Sequence, residues 1–210
     1  VRLGLLGPAR DDLAALARAA EHLINEAKVA RAIYLGGDDA LEVMVARWAA
    51  SLVGPDPSDE GLWTRALDVA LGGKPEGIDA FLRNERARLR LKALESLPTS
   101  DARTRSVEMF GDRVAVLVHD KALLDEEDIL SASFLVYGKS DAPLVKQFGP
   151  RWFLTPGPIG CEGGGAVVLD DSSDDVVATF YDAAGQPGRT QALTAGRAVK
   201  MNVRGQPGGG

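Results

Sequence analysis

A change in hydrophobic period partway along the chain does most to limit what it can fold into. Up to about residue 97, short apolar runs alternate with segments whose apolar residues recur every three or four positions. From Arg105 onward the spacing becomes two. Arg2–Leu6 reads as a buried strand, followed by a Gly7-Pro8 turn and by Asp11 and Asp12 as helix-capping candidates. Leu13, Leu16, Ala17, Ala20, Leu23, Ile24 and Ala27 then form one apolar stripe. Residues 30–35 read as a second strand ending at Gly36-Gly37. A second helix starts near Asp39, with Leu41, Val45, Trp48, Ala49 and Leu52 on one face. Strand, helix, strand, helix opens an α/β layer fold.

Residues 54–58 (Gly-Pro-Asp-Pro-Ser) are a loop. Residues 61–71 fit either a helix, through Trp63, Leu67 and Leu71, or the end of a strand, through Val69-Ala70-Leu71-Gly72-Gly73. Residues 75–97 read as one long helix, with Ile78, Phe81, Leu82, Leu89 and Ala93 sharing a face. Leu91 and Leu94 fall off that stripe, and Thr99-Ser100-Asp101 closes the segment. Residues 106–110 and 113–118 flank Gly111-Asp112 as a hairpin. Further strands are expected at 134–137, 144–148, 151–154, 166–169 and 176–181. Residues 185–188 read as a loop, 198–203 as a final strand, and 205–210 as a flexible glycine-rich end.

Four short segments, in this order, resemble the motifs of the calcineurin-like metallophosphoesterases, most of all the small bacterial and archaeal phosphodiesterases. Leu3-Gly4-Leu5-Leu6-Gly7-Pro8-Ala9-Arg10-Asp11-Asp12-Leu13 is similar to that family's I-x-V-I-S-D-x-H-G-N-L. Leu35-Gly36-Gly37 resembles its L-G-D. Val136 to Val145 resembles the segment around G-H-T-H-x-P-L, and Leu154 to Gly160 the N-P-G-S segment. A strand ending in His119-Asp120 matches the family's H-G, while the third motif, G-N-H-D, finds only Gly72-Gly73-Lys74-Pro75. The resemblance implies a four-layer α/β/β/α sandwich of two mixed sheets flanked by helices. It implies one phosphoesterase-like domain over residues 1–184, with a divergent helical insertion at 51–105 and an extension at 185–210.

The resemblance also implies two metals at the strand ends that activate water for attack on phosphorus, yet almost every ligand position is altered. Pro8 and Arg10 replace an aspartate and a histidine, and Gly37 replaces the bridging aspartate, with Asp38 one position later. Gly73 and Lys74 replace Asn and His; Lys139 and Asp141 replace two histidines; only His119 is kept. Proline has no donor atom, and a guanidinium or ammonium brings the wrong charge. The expectation is no metal, no cofactor and no catalytic residue. In their place stands a vestigial pocket of Pro8, Arg10, Gly37, Asp38, Lys74, His119, Asp120, Lys139 and Asp141, where cations pair with Asp38, Asp120 and Asp141. A single-metal site rebuilt from Asp38, Asp39, Asp120 and Asp141 with His119 is the competing arrangement. His119 otherwise reads as structural, and His22 as a surface residue.

A net charge of −6 from 24 basic and 30 acidic residues argues against general nucleic-acid binding. The lone Cys161 excludes an internal disulfide framework. Gly163-Gly164-Gly165 reads as a turn, since no Gly-Lys-Ser/Thr follows. No apolar run reaches membrane-spanning length, and acidic residues enter at Asp11, so a cytoplasmic protein without membrane insertion is expected. The basic run Arg83, Arg86, Arg88, Arg90 and Lys92 reads either as a solvated helix face or as a contact for an acidic partner. The superfamily includes a retromer subunit that serves as a scaffold without hydrolysis. The reading is therefore a non-catalytic module that binds another protein, with Trp63, Arg83, Arg86 and Arg90 at the contact. Its alternatives are a phosphodiesterase with a rebuilt site and a phosphate- or nucleotide-binding regulator.

Overall fold

The two periods of the sequence become two sheets. The computed structural model describes residues 1–97 and 105–194. The first half runs β1 (Arg2–Leu6), α1 (Leu13–Asn25), β2 (Arg31–Tyr34), α2 (Ala40–Val53), α3 (Leu62–Gly72), α4 (Pro75–Arg90) and β3 (Leu94–Ser96). The second half runs β4 (Arg105–Phe110), β5 (Arg113–Val118), α5 (Glu126–Ser131), β6 (Phe134–Tyr137), β7 (Leu144–Phe148) and β8 (Arg151–Thr155). It ends with β9 (Ala166–Asp170), β10 (Val176–Tyr181) and β11 (Pro187–Leu193). The larger sheet has the order β11-β10-β9-β1-β2-β3 and the smaller β4-β5-β6-β8-β7. Both are mixed: β1, β2 and β3 are parallel, as are β5, β6 and β8, and the remaining pairings are antiparallel.

The layers follow from which residues each strand buries on which face. Leu3, Leu5, Ile33, Leu35, Val167 and Leu169 of the larger sheet pack against Leu117, Phe134, Val136 and Leu154 of the smaller one. Each such fully buried aliphatic side chain contributes about 1.5–3 kcal/mol. The alternate residues Leu6, Ala32, Tyr34 and Val168 face outward, under Leu16, Ala20 and Leu23 of α1 and Leu41 and Met44 of α2. On the far side, Val116, Val118, Leu135 and Tyr137 are covered by Ala132 and Leu124, which flank α5. The order is helix, sheet, sheet, helix, with a thin last layer. Asp12 caps α1 through a bond from the Ala15 amide at 2.8 Å.

Several segments differ from expectation. Residues 61–71 resolve as helix α3. The long helix expected over 75–97 stops at Arg90; after one tight turn the chain becomes β3, parallel to β2. Leu91 and Leu94, which fall off the expected stripe, are buried in the core beneath α2, so tertiary pairing overrides helical propensity there. On α4 the expected core face is largely exposed at Ile78, Leu82 and Leu89, whereas Glu85 and Arg88 are buried. The loop expected at 185–188 gives way at Pro187 to β11, which pairs with β10 and continues the sheet to Leu193. Pro187 is tolerated since β11 is an edge strand. Helix α5 has no counterpart in the sequence reading, although Asp125 and Asp128 form a full capping box. His22 is not a surface residue: its ring packs 4.7 Å from Tyr181, with Nε2 buried and unbonded among the described residues. The closing segment 99–101, the strand at 198–203 and the end at 205–210 lie outside the described residues.

Candidate functional site

The parallel strands of both sheets end on the same side of the molecule, and the loops that leave them form one cavity of about 580 Å³. Pro8 and Arg10 follow β1. His119, Asp120 and Lys121 follow β5, and Tyr137, Lys139, Ser140 and Asp141 lie at and after the end of β6. Two salt bridges cross its mouth. The Arg10 guanidinium donates to Asp141 Oδ1 at 2.6 Å, and Lys139 Nζ to Asp120 Oδ2 at 2.6 Å. Both pairs reach solvent, so each adds little to stability. The Asp120 carboxyl is held below its ordinary range, first by the Ala122 amide and then by Lys139, and Asp120 in turn raises the Lys139 ammonium.

His119 sits where the two sheets meet. Its Nδ1 lies 2.8 Å from the Leu35 carbonyl oxygen. A carbonyl only accepts, so Nδ1 carries the hydrogen, and in the neutral ring Nε2 keeps its lone pair. Gly37 lies against that ring, since a Cβ there would be 2.8 Å from Cδ2 and Nε2. Gly138 allows the approach itself, because any Cβ would overlap the Leu35 carbonyl. The loops after β1 and β2 are joined through the buried Tyr34. Its hydroxyl accepts from the Ala9 amide at 3.0 Å and donates to Asp38 Oδ1 at 2.8 Å. Burial, ahead of its Asp38 neighbour, pushes the Tyr34 phenol well above its usual value, so it stays protonated.

Of the residues singled out from sequence, Pro8, Arg10, His119, Asp120, Lys139 and Asp141 line the cavity together, and Gly37 touches His119. Asp38 makes no ion pair among the described residues; it accepts from Tyr34 and from the Ala40 amide at 3.2 Å. Lys74 does not belong to the pocket. It is the exposed N-cap of α4, in a turn between two helices rather than at a strand end, which removes Gly72-Gly73-Lys74-Pro75 as a motif. Trp63, Arg83, Arg86 and Arg90 lie on the outer helices α3 and α4, all exposed. Sequence reasoning missed Tyr34, Lys121, Tyr137 and Ser140. A tyrosine four residues before an aspartate is a usable signal for the first. The other three become visible only once β5 and β6 are placed side by side.

The donor set does not fit the pair of metals that the family resemblance implies. Proline, glycine, arginine and lysine occupy the ligand positions, and among the described residues no group of three His, Cys, Asp or Glu side chains converges on one point. The rebuilt site of Asp38, Asp39, Asp120 and Asp141 with His119 is not assembled either. What the cavity offers is charge: three cations, Arg10, Lys121 and Lys139, against two carboxylates, Asp120 and Asp141.

No family model and no curated protein matches the chain. Among solved structures it is similar to a predicted phosphoesterase from Streptococcus pneumoniae. That match has 13% identity and a TM-score of 0.45, over 91% of this chain and 98% of that one. It is also similar to Vps29 from Entamoeba histolytica complexed with zinc, with 14% identity and a TM-score of 0.46, over 92% and 100% of the two chains. Vps29 from Chaetomium thermophilum gives 13% identity and a TM-score of 0.45, over 91% and 96%. Two mixed sheets face to face, helices outside both, and a cavity at their shared strand ends are the four-layer α/β/β/α architecture that the sequence motifs lead one to expect.

Proposed function

We propose that this chain is a non-catalytic metallophosphoesterase-fold protein that works by binding another protein through the layer formed by α3 and α4. The observation that carries the reading is an apolar stripe turned to solvent on α3. Trp63 is 80% exposed, and Leu67 and Leu71 follow it at one-turn spacing. Half-buried Phe81 lies in the groove between α2, α3 and α4, and serves packing. Exposed tryptophan is among the residue types that dominate interface energetics. The pocket supports the same reading, since Arg10 and Lys139 pair with Asp141 and Asp120 where metal ligands would be needed.

The test is capture of a partner from a lysate of the source organism on immobilised protein. Trp63→Ser and the Arg83→Glu/Arg86→Glu/Arg90→Glu triple variant should each lose most of the captured protein while melting within a few degrees of wild type. Unchanged capture by both excludes this surface. Hydrolysis of a generic phosphodiester in excess manganese, abolished by His119→Ala, would instead establish the rebuilt phosphodiesterase.

A second reading rests on Lys121, which lines the cavity with no carboxylate partner among the described residues and sits 5.8 Å from the centre of the Tyr137 ring. With Arg10 and Lys139 it would hold a phosphate or nucleotide without metal. Calorimetric titration with inorganic phosphate and nucleotides tests it; heat that is lost in Lys121→Glu would favour it.

A further inference from the structure

We propose that the partner of the α4 face is a second copy of this chain, bound across a two-fold axis with the two α4 helices antiparallel. The inference rests on the reading of α3 and α4 as an interaction layer; it gives Arg83 and Arg86 of α4 to a second copy and leaves Trp63 of α3 to the other protein, so capture lost on reversing the arginines is lost through the dimer. Helix α4 has 16 residues and so spans about 24 Å. Its inward face carries Phe81, Glu85 and Arg88. Its outward face carries two parallel rows, one apolar (Ile78, Leu82 and Leu89) and one charged (Glu76, Asp79, Arg83 and Arg86), all exposed, while Arg90 beyond them donates to the Ile24 carbonyl.

The charged row is ordered in a way that an antiparallel copy of itself complements. Both acids stand in the first half and the bases in the second. A two-fold axis through the middle of α4, level with Phe81, brings Glu76 opposite Arg86 of the partner subunit and Asp79 opposite Arg83 of the partner subunit. The symmetry repeats both pairs, because in a two-fold interface whatever one residue meets meets it in return. None of these four side chains has an ion-pair partner among the described residues. Asp79, Leu82, Arg83 and Arg86 together line a depression on this face, so it is not a smooth helix surface. The helix macrodipole accounts for acids early and bases late on any face. It does not account for three large aliphatic residues exposed beside them, which a packed copy would cover.

Sedimentation velocity on the full chain at tens of micromolar and low salt tests the proposal. The wild type should sediment as a dimer. Arg83→Glu/Arg86→Glu makes the row wholly acidic and Glu76→Lys/Asp79→Lys makes it wholly basic, so each alone should self-associate roughly tenfold more weakly or worse. An equal mixture of the two variants restores complementarity at both ends and should recover the dimer, which neither variant could do unless folded. Leu82→Glu, in the apolar row, should dissociate the wild type independently. A monomeric wild type, a variant that stays dimeric, or a mixture that fails to recover while both components keep wild-type circular dichroism overturns the proposal. If it falls while Trp63→Ser still abolishes capture of another protein, the proposed function stands without self-association. If the dimer forms and no capture depends on Trp63, it is the other reading that falls.

Discussion

Arg10 and Asp11, side by side after β1, hold backbone angles in the left-handed region, with φ of 47° and 68°. A Cβ makes that region costly, by about 1–2 kcal/mol per residue and somewhat less for aspartate. The resembled family places glycine at the position of Asp11, so this chain keeps the turn and carries its strain. Asp11→Gly should therefore raise stability by about 1 kcal/mol, read as a higher midpoint in urea unfolding, without disturbing the Arg10–Asp141 pair. A variant less stable than wild type would mean that the Asp11 side chain makes a contact that outweighs the strain. At this scale the sequence is informative where motif order supplies positions, and that order alone puts Pro8, Arg10, His119 and Lys139 on a common rim. Lys74 is misplaced by the same reasoning because a Gly-Gly-Lys-Pro string serves equally well as a turn between helices. Asp38 is misjudged because its partner is a phenol at the end of β2, which charge counting does not consider.

Helix α4 misleads a reader who expects apolar residues inside. Its buried positions are Glu85 and Arg88: Glu85 accepts from Arg65 of α3 and from Arg88, both at 2.7 Å, and Arg88 also reaches Asp59 at 2.9 Å. Hydrophobic periodicity cannot find an element that packs through an ion network, and for the same reason it assigns Ile78, Leu82 and Leu89 to a core they do not enter. It also extends α4 through β3, because a three-residue strand carries too few residues to show a period of two. Burial works to raise the Glu85 carboxyl, but the bonds from Arg65 and Arg88 outweigh it and hold the group below its ordinary range. A carboxyl lowered in the folded state stabilises fully above its unfolded value and loses that contribution as pH falls through the folded one. Glu85→Gln should thus cost about 3 kcal/mol at neutral pH, since it leaves two arginines short of a charge partner. The difference from wild type should shrink as the solution is made acidic, and a gap that holds constant down to strong acid would rule out the ionised carboxylate as its source. Urea melts across a pH series supply both measurements.

For the molecule as a whole, backbone from the two sheets meets beside the pocket, where Gly138 passes against the Leu35 carbonyl that also accepts from His119. Gly138→Ala has no room there, and it should cost about 3 kcal/mol or more by forcing the sheets apart. Loss of the His119 bond should accompany the lower melting point, visible as a changed imidazole signal by NMR. Wild-type stability in that variant would show that the sheets can separate freely. The two-sheet architecture is legible because strands alternate with helices and then follow one another in sequence. The attachment of β11 is not, since glycine, proline and glutamine around residue 187 carry turn chemistry and only the open edge of β10 recruits them as a strand. No helix among the described residues is long and apolar enough to cross a membrane.

The place of β1 in the larger sheet has a consequence for how the chain comes into being. β1 lies between β2, which follows it closely in sequence, and β9, with Leu6 beside Ala166. During synthesis β1, α1 and β2 can assemble as soon as they emerge, but the other side of β1 has no neighbour until β9, which follows every strand from β2 to β8, arrives. Its backbone amides and carbonyls then form an open template, flanked by Leu3 and Leu5, that any extended segment can borrow. Pairings this distant close slowly. Translation speed and protection of nascent chains should therefore govern the yield of this protein more than the stability of its finished form.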